Sequence, residues 1–129
     1  MTNYLSAEQI LFLHARLIEE TGGEHGVRDL GMLLSAQGRL QASFDDQDLY
    51  PDIFIKGAAL MESLIRNHPF VDGNKRTGAT AVGLFLRRNG YRLTASNVEL
   101  VAVTMSIAQS KASLAEIADW LRENSQSAE

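Results

Sequence analysis

The stretch Asn74–Asn89, NKRTGATAVGLFLRRN, sets the architecture, because apolar or small residues occupy nearly every side of the helix that it predicts. A helix without a wide polar face belongs in the centre of a bundle, where neighbouring helices cover it. Arg87 and Arg88 in the last turn and Gly90 beyond them mark the carboxyl end of this helix. The stretch therefore predicts a helical bundle built around one buried helix.

Helical periodicity and capping signals flank the central stretch on both sides. They predict helices over Ser6–Glu20, over Asp29–Gln41, over Asp52–Asn67, and from the capping boxes at Ser96 and Ser113 onwards. The segment 42–51 predicts a loop or a short hairpin. No internal repeat or linker divides the chain, so we expect one all-α domain over residues 1–124, followed by a frayed tail at 125–129.

Composition narrows the classes of function. The 129 residues suffice for one domain, and the net charge of −4 argues against binding nucleic acid through a broad basic face. The absence of cysteine excludes disulfides, thiolate catalysis and cysteine-ligated zinc. No apolar run approaches the ~18 residues of a membrane span, and the first residues carry no signal-peptide pattern. We therefore expect a cytoplasmic protein that binds neither nucleic acid nor membrane.

The connector His68–Thr77, HPFVDGNKRT, carries more chemistry than a turn between two helices requires. Asp72 followed by Gly73 predicts a turn, and Asn74 predicts the N-cap of the central helix. The first backbone N–H groups of a helix have no acceptor within it, so they form a ready anion site. The connector therefore predicts a phosphate-binding loop, in which glycine lets a ligand approach the main chain.

Charged side chains complete this predicted site. Lys75 and Arg76 add positive charge to a helix end that disfavours it, which indicates a bound anion. His68 can take a proton from an attacking hydroxyl, and the carboxylate of Asp72 is a natural ligand for the magnesium that accompanies polyphosphates. A base, a metal ligand, an anion site and cations are the parts that group transfer from a nucleotide needs.

Other polar residues are given no catalytic role by the sequence. His14 lies in the middle of a predicted helix and His25 in a glycine-rich turn, and neither has a companion at metal-ligand spacing. Asp45, Asp46 and Asp48 indicate a solvated loop, because the remaining ligands of a calcium loop are missing.

The connector resembles the signature of the Fic/Doc family, HPFx(D/E)GN(G/K)R, at every fixed position. The helical layout, the chain length and the stretch RDLGML at residues 28–33 are similar to the death-on-curing (Doc) toxins of that family. The resemblance covers nearly the whole chain. It implies a single-domain Fic/Doc helical bundle with a central buried helix after the active-site loop and a short flap.

The resemblance also implies a role for each residue of the loop and of the segment 42–51, which corresponds to the family's flap. The implied catalytic residues are His68 and Arg76, and the implied magnesium ligand is Asp72. The implied nucleotide-binding residues are Gly73, Asn74, Lys75, Arg76 and Thr77. The implied loop anchors are Pro69 and Phe70, and the implied target-docking residues of the flap are Phe44, Leu49 and Tyr50. ATP is the implied co-substrate, with Mg²⁺.

Two departures from the adenylyl-transferring branch of the family favour phosphoryl transfer. That branch has glycine after the asparagine and a second arginine three positions after the first, where this chain has Lys75 and Ala79. Doc toxins share this pattern, which implies an inverted nucleotide and a kinase acting on Thr or Ser of elongation factor Tu, so that translation stops. Gly73 is shared with the adenylyl transferases, so adenylyl transfer stays open, as does a silent domain that binds nucleotide or an antitoxin.

The chain lacks the inhibitory motif (S/T)xxxE(G/N) that many Fic proteins carry. Its end is matched only by Glu123-Asn124, and Asp119 stands where Ser or Thr is expected. The resemblance therefore implies an inhibitor in trans, an antitoxin of the Phd type that folds on binding.

Overall fold

Six helices account for most of the chain in the computed structural model, which describes residues 1–128. They are α1 (Ala7–Thr21), α2 (Leu30–Arg39), α3 (Ile53–Arg66), α4 (Asn74–Arg88), α5 (Asn97–Ala108) and α6 (Leu114–Glu123). The strands form two antiparallel pairs, β1 (Ser43–Phe44) with β2 (Gln47–Asp48), and β3 (Tyr91–Leu93) with β4 (Ser125–Ser127). The predicted all-α class is confirmed. Within the described residues, no helix is both long and apolar enough to cross a bilayer.

Side-chain caps fix the starts of the helices close to the predicted positions. Reciprocal capping boxes join Ser6 to Gln9, Ser96 to Glu99 and Ser113 to Glu116. Asp29 and Asp52 accept hydrogen bonds from the first turns of α2 and α3. Because each cap satisfies N–H groups that the helix itself leaves free, the local sequence alone determines these boundaries.

The centre of the bundle consists of α3 and α4 together. Helix α4 packs against α1, α3, α5 and β3, as its apolar pattern predicts, and α3 packs against α2, α4, α5 and α6. The two helices approach most closely at Gly78, where a Cβ would lie 2.7 Å from Cγ1 of Ile65 and 3.5 Å from the carbonyl oxygen of Met61. Both of those neighbours are fully buried, so they have little room to move.

The segment 42–51 forms a β-hairpin, which decides between the two predicted alternatives. Asp45 and Asp46 form its two-residue turn, with φ of 55° and 63°. Positive φ at both turn positions matches the right-handed twist of the flanking strands, and Asp tolerates it. The N–H of Leu49 donates to the carbonyl of Ala42 at 3.0 Å and closes the base of the hairpin.

The predicted frayed tail is wrong for the residues that the structure describes. Ser125–Ser127 pairs with β3 in the register Tyr91↔Ser127 and Leu93↔Ser125. The N–H of Ala128 also donates to the carbonyl of Gly90 at 2.9 Å. The polar side chains of the tail indicate no structure, but the main-chain groups of β3 provide partners for it. Glu129, the last residue of the predicted tail, lies outside the described residues.

We expect Gly78→Ala to lower the free energy of unfolding by about 1–3 kcal/mol, because the added methyl group overpacks the contact with Ile65. Gly83→Ala is the matched control in the same helix, since a Cβ there meets no described atom within 4 Å. It should raise stability by about 0.5–1 kcal/mol through helix propensity alone. Urea unfolding of both variants measures the difference, and equal effects would contradict the close packing of α3 on α4.

Candidate active site

The loop between α3 and α4 is attached to the core through Phe70. This side chain is 1% exposed, and its ring stacks on that of His14 with centroids 3.8 Å apart and planes 4° from parallel. Pro69 is also buried, as expected of a loop anchor, whereas His68 is exposed. The loop thus presents its histidine to solvent while its next two residues lie in the protein.

Asn74 has a different role from the predicted N-cap. The N-cap of α4 is Gly73, with φ of 77° and no side-chain cap. The buried amide of Asn74 instead turns back to Phe70, accepting from its N–H and donating to its carbonyl, each at 3.0 Å. The loop folds back over the start of α4, so both main-chain groups of Phe70 need a partner there. Nδ2 of Asn74 also lies 3.4 Å from Nδ1 of His68.

The N-terminus of α4 offers free hydrogen-bond donors beside this loop. The N–H groups of Asn74, Lys75 and Arg76 belong to the first turn, where a helix provides no acceptor. The helix dipole and the exposed ammonium of Lys75 add positive potential at the same place. This arrangement can bind an anion, as the sequence predicts.

Two of the predicted nucleotide-binding residues, Gly73 and Thr77, have no free main-chain N–H group. The N–H of Gly73 donates to Oδ1 of Asp72 at 2.8 Å. The N–H of Thr77 donates to the carbonyl of Gly73 at 2.9 Å, and its side chain is 0% exposed. Thr77 completes the first turn of α4 and faces the core, where its Oγ1 has no partner among the described residues. The structure therefore does not bring Thr77 to the anion site.

Asp72 is held by the turn that follows α1. Its Oδ2 accepts from the N–H of Glu24 at 3.1 Å, and its Oδ1 accepts from the N–H of Gly73. These hydrogen bonds, and to a smaller extent the nearby Arg76, hold the pKa of the Asp72 carboxyl below its ordinary value. The side chain is therefore an ionised oxygen donor at neutral pH, which is the ligand type that Mg²⁺ prefers.

A single carboxylate does not hold magnesium without further ligands. Residues 1–128 contain no group of three His, Asp or Glu side chains that could bind a metal ion. Magnesium sites commonly combine one or two carboxylates with waters and substrate phosphates. Asp72 fits such a site only together with the phosphates of a nucleotide.

Arg76 connects the loop to the end of α1. Its Nη1 donates to the carbonyl of Gly22 at 2.8 Å and to Oγ1 of Thr21, and its Nη2 lies 3.7 Å from Oδ1 of Asp72. Gly23, with φ of 115°, packs directly against this pair, since a Cβ there would lie 2.6 Å from Oδ2 of Asp72. Only glycine allows the turn to approach the carboxylate so closely.

A cavity of about 320 Å³ adjoins the start of α4. Lys75, Arg76 and Ala79 line one side of it, and apolar side chains of α1 and α5, including Leu17 and Met105, line the other. The cationic site therefore opens onto a mostly apolar cavity.

His14 supports the loop, although the sequence assigned it no role. Its Nε2 lies 2.8 Å from the carbonyl oxygen of Asp72, which can only accept a hydrogen bond, so Nε2 carries the proton. Burial lowers the pKa of His14 and keeps the ring neutral. The sequence feature that could have indicated this supporting role is the position of His14, which lies on the buried face of α1 with Ile10 and Ile18.

The flap is fixed to the bundle at its base and exposed at its tip. Phe44 and Leu49, both predicted docking residues, are 77% and 55% exposed. Tyr50, the third, is half-buried, and its hydroxyl accepts from Nε of Arg39 at 2.9 Å, so it attaches the flap to α2. Nζ of the buried Lys56 on α3 donates to the carbonyl of Leu40 at 3.0 Å and to Oδ2 of Asp48 at 3.3 Å. Sequence reasoning missed Lys56, because a lysine within a helical pattern normally indicates a solvated face.

We expect Asn74→Ala to lower the free energy of unfolding by about 2–4 kcal/mol, because it leaves two buried main-chain groups of Phe70 unpaired. The Phe70 amide should then exchange faster with solvent deuterium. Asn97→Ala, at the exposed start of α5, is the control and should change neither quantity. Urea unfolding and amide exchange by NMR measure both effects, and an unchanged Phe70 amide would show that the side-chain pairing does not hold the loop.

Comparison with known proteins places this loop in a defined family. Residues 4–86 match the Fic/DOC family. The toxin Doc of Mycolicibacterium smegmatis is 46% identical over 95 residues, which are 74% of this chain and 71% of that toxin. The protein kinase doc of Escherichia phage P1 is 36% identical over 119 residues, which are 92% of this chain and 93% of the relative. This chain belongs to the Fic/DOC family.

Proposed function

We propose that this chain is a Doc-type toxin, a kinase that transfers the γ-phosphoryl group of ATP to a Ser or Thr hydroxyl of a protein. The observation that carries the proposal is the loop, in which His68 lies 3.4 Å from Asn74 at the start of α4 and Asp72 lies beside Arg76, next to the free N–H groups of that helix. The names of the two relatives, a toxin and a protein kinase, support it. Elongation factor Tu, whose modification would stop translation, is the proposed target.

His68 is the general base of the proposed reaction. Its exposed imidazole takes the proton of the target hydroxyl while the oxygen attacks the γ-phosphorus. The new O–P bond forms, the bond from the γ-phosphorus to the bridging oxygen breaks, and ADP leaves with that electron pair. The 3.4 Å contact with Asn74 is too long to fix the imidazole tautomer, so either ring nitrogen can provide the lone pair.

The start of α4 holds the phosphates in this proposal. Main-chain N–H groups at a helix N-terminus stabilise negative charge without reorganising during the reaction. The planar guanidinium of Arg76 suits phosphate oxygens, and Thr21 and Gly22 keep it beside the loop. Asp72 would hold magnesium with the nucleotide, where the ion neutralises phosphate charge.

Two side chains favour phosphoryl transfer over adenylyl transfer. Lys75 and Ala79 line the cavity beside the loop, where the adenylyl-transferring branch would have glycine and a second arginine. The apolar side chains that face them, such as Leu17 and Met105, offer the outer phosphates of ATP no partner. Gly73 is the feature shared with adenylyl transferases, and adenylyl transfer is the second candidate.

The flap supplies the proposed binding surface for the target. Among the described residues, β1 and β2 pair only with each other, so the hairpin has free outer edges. An extended segment of the target can add to such an edge as a further strand, while the exposed Phe44 and Leu49 contact its side chains. We further propose that the protein acts in the cytoplasm and is inhibited by a Phd-type antitoxin in trans.

The first test is incubation of the purified chain with ATP, magnesium and elongation factor Tu, followed by intact mass spectrometry. We expect a gain of one phosphoryl group, which His68→Ala abolishes because the base is removed. His25→Ala, which changes an exposed histidine outside the loop, is the matched control and should leave transfer intact. A gain of one adenylyl group would replace the proposed reaction with the second candidate, and no transfer to any protein of a bacterial lysate would exclude both.

We expect Asp72→Asn to raise the magnesium concentration needed for half-maximal transfer by about tenfold or more, because an amide oxygen is a weaker ligand than a carboxylate. The N–H groups of Glu24 and Gly73 donate to different oxygens of Asp72, so the amide oxygen of the variant can accept from only one of them. Urea unfolding of the variant shows whether the loop keeps its fold. Asp45→Asn on the flap turn is the control for loss of a carboxylate alone. The measurement is the rate of transfer as a function of magnesium concentration for the unaltered protein and the two variants. An identical magnesium dependence in all three would exclude Asp72 as the ligand.

A further inference from the structure

One arginine outside the loop bonds directly to the main chain of the catalytic histidine. Nε of Arg28 donates to the carbonyl of His68 at 2.6 Å, and its Nη2 donates to the carbonyl of Asn67 at 2.7 Å. The N–H groups of Arg28 and Asp29 both donate to the carbonyl of Pro69, at 2.8 and 3.0 Å. Two consecutive residues before α2 thus bind three consecutive carbonyls of the loop.

These bonds act on a residue with an unusual conformation. His68 has φ of 47°, in the left-handed region that residues with a side chain rarely adopt. The following proline disfavours helical angles at this position and leaves extended angles as the ordinary alternative. Such a conformation persists only where surrounding contacts hold it in place. The carbonyl of His68 is the atom through which Arg28 provides such a contact.

The imidazole of His68 has little else to orient it. The exposed side chain has one hydrogen-bonding contact among the described residues, the 3.4 Å approach of Asn74. The direction in which the ring leaves the main chain is therefore set by the backbone angles of the residue. Those angles depend on the peptide groups on either side, whose carbonyls Arg28 and Asp29 bind.

We propose that Arg28 is a positioning residue for His68. It holds the His68 carbonyl so that the histidine keeps its left-handed conformation and points its imidazole to the reacting hydroxyl. The role in transfer rests on the proposed function, but the role in conformation does not. Arginine suits this role because its planar guanidinium presents two donors in a fixed geometry, which the single ammonium of lysine lacks. This positioning role also assigns a function to the start of the stretch RDLGML at residues 28–33.

The test compares Arg28→Ala and Arg28→Lys with the unaltered protein. Arg16→Ala, which removes an exposed arginine paired with Glu20 on α1, is the control. We expect Arg28→Ala to lower kcat by about 10–100-fold through misplacement of the base, with KM for ATP changed less than about twofold. Arg28→Lys should recover only part of kcat, and added methylguanidine should restore part of the activity of Arg28→Ala. A rise of KM for ATP together with the fall of kcat, without rescue, would indicate a general structural role and overturn the proposal.

A second measurement does not depend on transfer. NMR of isotope-labelled protein reports the main-chain φ of His68 through the coupling of its N–H to Hα and through its carbon chemical shifts. We expect left-handed values in the unaltered protein and in Arg16→Ala, and extended values in Arg28→Ala. If Arg28→Ala fails to fold, Arg28→Lys provides the same comparison. A histidine that stays left-handed in a folded variant refutes the positioning role, whether or not the chain proves to be a kinase.

Discussion

The amide of Asn74 pairs with both main-chain groups of Phe70 inside the protein, where an unpaired N–H or carbonyl costs about 1–3 kcal/mol. This pairing joins the first residue of α4 to a loop residue whose ring stacks on His14 in the core. Because His68, Asp72 and the free N–H groups of α4 lie within a few residues of it, their separations are fixed by the same contact. A loop attached only through its two flanking helices would not hold His68 at a fixed distance from the first N–H groups of α4.

The site carries more positive charge than the neighbouring carboxylate compensates, so it can still attract an anion. Asp72 is held ionised by two main-chain donors, and it lies beside the guanidinium of Arg76, so part of the positive potential is already compensated. Within residues 1–128 no carboxylate pairs with Lys75, and the dipole of α4 adds positive potential at this helix end, which disfavours cations. An excess of positive charge at the start of α4 is expected if a phosphate binds there, as proposed.

Features with local causes were predictable from the sequence, and those with distant partners were not. The capping boxes and the apolar pattern of α4 predicted the helices, and the loop motif predicted the family. The roles that the motif implies for the site residues stay predictions. The pairing of β4 with β3 and the burial of Thr77 depend on what the folded chain places beside them. The same holds for His14 and Arg28, whose partners at Asp72 and His68 lie 58 and 40 residues away along the chain. Asn74 and Phe70 are only four residues apart, but their pairing depends on the burial of Phe70 in the core.

Helix α3 connects the base of the flap to the loop that carries His68. Near its start, the buried Lys56 bonds to Asp48 and Leu40 and so fixes the base of the flap. The helix ends at Arg66, about 15 Å further along at 1.5 Å per residue, and His68 follows two residues later. Four helices pack on α3 and nine of its fourteen residues are buried, so it cannot bend or slide independently. In the proposed reaction, this rigid element would set the distance between a target docked on the flap and His68, so the hydroxyl that reaches the loop from the flap would be the one modified.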